Sequence, residues 1–414
     1  MTTRRDFLRD SSLLGFGATV PTFLGRTALA APVADKAGAK DTVLVVVQLT
    51  GGNDGLNTVV PFTNADYYKQ RPNIAIAKDQ VNKLTDDVGF HPSMGALAKL
   101  YTDDSAVCVV QGVGYPNPSQ SHFRSMDIWH AAGTAESLTE GWLGNALKKQ
   151  SVPAFHLAGG NEAAPLALAG APVRVPSITS LDDFKLKTAG VTGADNNAQK
   201  SFITSVANAA ASTAKPNNLL DFVSRTQTTT YASSEKLASI GKNYAPKVPY
   251  PTTALATKLK LAAQLIDAGI GARLFYVSID GFDTHAGQGG AAGAHANLLT
   301  QVSEAISAFY RDMAGRGHKD RLCVMTFSEF GRRAYENGSK GTDHGAGAPM
   351  LLVGGKVKPG VVGKQPGLTG LKDGNLVHDT DFRQVYAAVL QQWLGIDAKP
   401  IVGDGFKAAE VFAK

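Results

Sequence analysis

The sequence predicts an α/β fold: a three-layer α/β/α sandwich around a mostly parallel central sheet. Two observations carry this. Short, continuous runs of Val, Leu and Ile recur along the chain, as strands buried on both faces require. They alternate with longer stretches of helical period that would cover those faces.

The first run is "VLVVVQL", Val43–Leu49. Strands are expected next at Ala106–Val113, Pro153–Ala158, Arg273–Ile279, Arg321–Phe327 and Met350–Val353. Helices are expected at Pro92–Tyr101, His122–Ala132, Trp142–Lys149, Gln199–Ala211, Asn218–Tyr244, Thr253–Ala268, Ala294–Ala314 and Asp381–Leu394. Residues 190–268 differ in character, with polar, Pro- and Gly-bearing joins around long helices. They read as a helical insertion into a single domain spanning 31–414.

Residues 1–30 stand apart. Arg4 and Arg5 precede Phe7 and Leu8, a short apolar stretch follows, and Ala28-Leu29-Ala30 fits a cleavage site. This resembles a twin-arginine signal peptide, which implies export through the twin-arginine translocase to the periplasm or beyond. The stretch is too short and Gly-rich to span a membrane, and the mature chain offers no transmembrane segment.

With 414 residues, 43% hydrophobic and 18% charged, the composition is globular. The formal net charge of +6 falls to +4 without the leader. No Lys/Arg-rich run interleaved with aromatics is present, which argues against a nucleic-acid partner. Cys108 and Cys323 lie inside apolar runs and read as small buried hydrophobes. No dinucleotide fingerprint supports a redox cofactor, since "GFGATV" belongs to the leader.

Open α/β sheets bind ligands beyond the carboxyl ends of their strands. Polar residues cluster at those places. After the first strand comes "TGGNDG", where Asp54 leaves a glycine turn either as a metal ligand or as an ordinary turn residue. After the second, Ser119, Ser121 and His122 open a helix. A serine there is an N-cap, or a nucleophile facing an anion at the helix N-terminus. Asp280, Asp283 and His285 follow the fourth strand. Glu329, Arg332, Asp343 and His344 follow the fifth, and His378 and Asp379 come later. Mixed oxygen and nitrogen donors suit zinc, manganese, iron, calcium or magnesium, one ion or two.

The segments "QLTGGNDGLNTVVPF", "SHFRSMDIWHAA", "GWLGNAL", "GFDTHAGQ" and "SEFGRRAYENGSKGTDHGAGAPMLLVGG" resemble the bacterial domain-of-unknown-function 1501 family. That family is grouped distantly with the alkaline phosphatase and sulfatase superfamily. The resemblance implies an alkaline phosphatase-like sandwich with one or two metals and a nucleophile at a helix start. On that pattern Asp54 fits the first ligand, Ser121 the nucleophile with Ser119 behind it, and Asp283 and His285 the third position. The chain departs at the fourth, where Glu329 replaces an Asp-His pair. Asp343 and His344 then supply the pair or the last His, for which His378 is a weaker candidate.

The expected function is an exported metal-dependent hydrolase of phosphate or sulfate esters. Arg124 or Arg332 would clamp the ester oxygens or, alternatively, make surface ion pairs. The alternative is a non-catalytic periplasmic protein that binds a polysaccharide, a lipid or a partner protein.

Overall fold

The computed structural model describes residues 41–150, 152–160, 162–181 and 244–413. The expected leader, the expected helix Gln199–Ala211 and nearly all of Asn218–Tyr244 lie outside the described residues. The chain divides into two compact units. The larger comprises Ala39–Ser177, Pro246–Ala263 and Ala272–Lys414. The smaller contributes Ile178–Leu181, Tyr244–Ala245 and Gln264–Gly271 to the described residues, the last closing on glycines at positive φ, Gly269 and Gly271.

The large unit is an α/β layer structure. Its strands are β1 (Val43–Leu49), β2 (Val59–Val60), β3 (Asn82–Lys83), β4 (Gly89–Phe90), β5 (Val107–Gly114) and β6 (Ala154–Leu157). Ser177 opens β7 (Ser177–Ile178). There follow β8 (Leu274–Ile279), β9 (Leu322–Phe327), β10 (Ala348–Val353), β11 (Gly360–Val362) and β12 (Thr380–Asp381). The main sheet runs β11-β5-β10-β9-β1-β8-β6, with β12 also on β5.

β1 sits at the centre, parallel to β8 and β9. All seven of its residues are buried, which is why its sequence is apolar without alternation. β6 is parallel to β8, and β11 and β12 to β5. β10 is the exception, antiparallel to both β5 and β9. It follows that β5, β9, β1, β8 and β6 end at one edge of the sheet, while β10 begins there. A small antiparallel sheet, β2-β4-β3, was not legible in the sequence because its strands are two residues each.

Five helices matter here: α1 (Gly95–Thr102), α2 (His122–Ala131), α3 (Trp142–Lys149), α4 (Ala294–Ala314) and α5 (Phe382–Ala388). Leu44 and Val46 of β1 share a core with Trp129 of α2, Trp142 of α3 and Phe382 and Tyr386 of α5. Trp129 stacks on Phe382 at 4.4 Å and Trp142 on Tyr386 at 4.2 Å, with the ring planes within 25° of parallel. α5 starts on a capping box formed by Asp381 and Gln384. The expected helix Asp381–Leu394 therefore exists, but its second half, Val389–Leu394, winds as a π-helix ending at Gly395 with φ +71°. α4 packs with α1, where Ser303 Oγ accepts from the Leu97 amide at 3.0 Å.

Cys108 and Cys323 are both buried and unpaired, and burial raises both thiol pKa values, Cys108 to about 12. They are inert core side chains. Among the described residues no helix is long and apolar enough to cross a membrane.

Candidate metal centre

Four loops meet at the strand-end edge of the sheet. The turn after β1 passes through Gly51 and Gly52, with φ of +118° and +78°. A Cβ on Gly51 would collide with the backbone nitrogen of Asp283, so glycine is what lets the turn after β1 touch the loop after β8. The loop after β9 carries Ser328 to Arg332. The loop after β5 leads into α2. His344 comes from the segment before β10, and reaches the same edge because β10 runs against its neighbours.

Here His122, Asp283 and His344 converge, with one ligand atom from each lying within 4.8 Å of the others. Asp283 is the hub. Its Oδ1 lies 3.1 Å from His344 Nε2 and 3.1 Å from His285 Nε2, and its Oδ2 lies 3.5 Å from His122 Nε2. His285 Nε2 is also 2.8 Å from His344 Nε2. The Asp283 side chain is 45% exposed, so the cluster is open to solvent.

Two imidazoles and a carboxylate form a donor set that zinc or iron accepts with positions left open. What lies behind the imidazoles fits a metal too. His122 Nδ1 is 2.8 Å from Glu329 Oε1, and His344 Nδ1 is 2.8 Å from the Gln120 carbonyl. An acceptor behind Nδ1 holds the proton there and turns the Nε2 lone pair towards the cluster, as in carboxylate–histidine–metal arrangements. His285 repeats the pattern, its Nδ1 lying 3.3 Å from Asp343 Oδ1.

The charges agree. Burial would raise the Asp283 carboxyl pKa, but the hydrogen bond and charge of Arg332 outweigh it and hold it at about 2. Burial pushes the His344 imidazole pKa down, which favours the neutral, ligating form.

The structure brings some of the residues singled out in sequence together and sets others apart. Asp283 and His344 are in the group, and His285 adjoins it. Glu329 is fully buried behind His122, and it also accepts from the Gly51 amide at 2.8 Å. Its place is to orient a histidine. Asp343, bound by Asn337 Nδ2 at 2.9 Å, does the same for His285.

Asp54 is not part of the group. It is fully buried, with Oδ2 2.6 Å from both Arg71 Nη1 and Gln288 Nε2. Burial would raise its pKa, but the Arg71 charge and hydrogen bond outweigh that and lower it. The carboxylate points into the protein because a buried guanidinium is there to neutralise it. His378 is not part of the group either.

Arg332 is buried and donates to the carbonyls of Gly52, Thr342, Phe282 and Gly51 and to Asp283 Oδ1 at 2.7 Å. It ties the loops after β1, β8 and β9 together, and is not free to clamp a substrate. Arg124 donates to the carbonyls of Thr134, Ala135 and Glu136, closing the loop after α2. Ser121 is the N-cap residue of α2, yet its hydroxyl makes no capping hydrogen bond and it is exposed beside His122. Ser119 Oγ accepts from the Ser121 amide at 3.2 Å, which makes Ser119 a turn residue.

The sequence places His122 at the helix start without marking it as a member of this group. The signal was present: an imidazole just past a buried strand, as at His285. Arg71 and Gln288 gave no signal, since each lies far from Asp54 along the chain.

The family described as a protein of unknown function (DUF1501) matches residues 41–404. The chain belongs to that family. No curated protein sequence matches it. Among solved structures it is similar to the C-terminal periplasmic domain of EcEptC from Escherichia coli in complex with Zn, at 12% identity and a TM-score of 0.36, covering 77% of this chain and 74% of that one. It is also similar to the PsFucS1 sulfatase from Pseudoalteromonas sp., at 11% identity and a TM-score of 0.35, covering 94% and 76%. A protein in the alkaline phosphatase superfamily from Vibrio parahaemolyticus aligns at 10% identity and a TM-score of 0.36, covering 92% and 76%.

Proposed function

We propose that the protein is an exported hydrolase of phosphate or sulfate esters that works with one divalent metal ion. The observation that supports this is the convergence of His122, Asp283 and His344, with Glu329 and the Gln120 carbonyl behind the two imidazoles. His122 Nε2, Asp283 and His344 Nε2 would hold the ion, with His285 Nε2 beside them. A bound divalent ion would supply Lewis-acid stabilisation of charge on the ester oxygens. Glu329, Asp343 and Arg332 position the donors. Ser121 is the nucleophile of this reading, since its hydroxyl is exposed, uncommitted to capping and adjacent to His122.

One ion is favoured over two because Asp54 is neutralised by Arg71 and Glu329 faces His122. The test is elemental analysis of protein purified without chelator, followed by assay on aryl phosphate and aryl sulfate esters. One equivalent of metal, lost in His344→Ala, with hydrolysis lost in Ser121→Ala while the metal stays, is the expected result. A folded protein that takes up no zinc, iron or manganese would overturn the reading.

A further inference from the structure

At the far end of the same sheet edge, Glu162 accepts four hydrogen bonds. Its Oε2 lies 2.8 Å from Lys258 Nζ and 2.8 Å from the Gly159 amide. Its Oε1 accepts from Ser278 Oγ and lies 3.4 Å from His156 Nε2. His156 is on β6, fully buried, and its other ring nitrogen, Nδ1, lies 2.8 Å from Ser177 Oγ. Ser177 is exposed. It follows Pro176, whose carbonyl accepts from the His156 amide at 3.0 Å, so the backbone holds the serine beside the ring. All these residues belong to the large unit.

The wiring of protons follows from the donor inventory. Burial would raise the Glu162 carboxyl pKa, but its four donors outweigh it and lower it well below the usual range, so it is an anion that only accepts. The ring nitrogen facing it, Nε2, must therefore donate. In the neutral ring Nδ1 then carries the lone pair, and the Ser177 hydroxyl must donate to it. Ser278 is excluded as the nucleophile, because it is buried and donates to the carboxylate itself. Nucleophile bonded to base, base oriented by an anion, and an accessible nucleophile are the parts of a serine acyl-transfer site.

The geometry points to a second catalytic site, Ser177–His156–Glu162, for carboxylic esters. Ser177 Oγ would bond to the ester carbonyl carbon as its proton passes to His156 Nδ1. The carbonyl-to-alkoxy bond would then break, the alcohol leaving with that proton. Water would attack the acyl-serine, giving one proton to Nδ1. Ser177 would recover that proton as the carboxylic acid departs. Glu162 would keep the ring oriented and balance the imidazolium charge, and Lys258 would hold Glu162. No metal takes part.

The test is to treat the full chain, with chelator present, with a fluorophosphonate and to locate the adduct by mass spectrometry. The release of p-nitrophenol from p-nitrophenyl acetate is followed alongside. The expected result is an adduct on Ser177 and ester turnover that falls at least about 100-fold in Ser177→Ala, His156→Gln and Glu162→Gln. The absence of a Ser177 adduct in the unmodified protein would overturn the proposal. So would an adduct forming as fast in His156→Gln as in the parent. An adduct on Ser121 alone would likewise overturn it.

Discussion

Glu329 Oε1 lies 2.8 Å from His122 Nδ1 inside the fold, with no exposed surface of its own. The same oxygen accepts from the Gly51 amide, so one carboxylate joins the turn after β1 to the start of α2. Glu329→Gln keeps the volume but removes the charge. The expected outcome is a metal affinity lower by about 10–100-fold, measured by chelator competition, as for other groups that orient a ligating histidine.

Arg71 and Asp54 form a buried pair at 2.6 Å, with neither side chain exposed. Arg71→Met removes one partner and leaves an uncompensated carboxylate. Denaturant unfolding is expected to show a loss of about 3–5 kcal/mol. Asp54→Asn should still bind metal in its folded fraction. Loss of metal from a folded Asp54→Asn protein would restore Asp54 as a ligand.

Gly51→Ala introduces a Cβ against the Asp283 backbone at a φ of +118°. The loop that carries Asp283 must then move. A loss of stability larger than the roughly 1 kcal/mol that separates Gly from Ala at a compatible site is expected, read as a lower Tm, together with weaker metal binding. A variant unchanged in both would show that the close approach of these loops is not needed.

Two buried histidines set an acid limit on stability. Burial lowers the His130 pKa to about 3 and the His295 pKa to about 4. Both are depressed from an unfolded value of about 6.5. Below that value the unfolded chain binds protons that the native chain does not, so stability falls as pH falls. The loss runs from about pH 6.5 down through the folded values, at up to about 1.4 kcal/mol per pH unit for each group. Urea midpoints measured between pH 7 and pH 5 should decline, and His130→Gln should flatten part of that slope.

The sequence by itself determined the layered α/β class and the extent of its main strands. Val43–Leu49, Trp142–Lys149 and Ala294–Ala314 end where expected, because burial on both faces of a strand and on one face of a helix leaves a pattern in the local sequence. It also singled out Asp283, His285 and His344, polar residues near glycine past the strand ends, which the fold brings within hydrogen-bond distance of one another. Tertiary structure decided what each residue faces. Asp54 and Glu329 look alike in sequence, both acids just past a buried strand, yet one meets Arg71 and the other His122. Nothing near Asp54 in the chain announces Arg71, and nothing near His156 announces Ser177. A side chain's charge, tautomer and role depend on groups within about 4 Å in space, and the packing of the sheet, not the order of residues, chooses those groups.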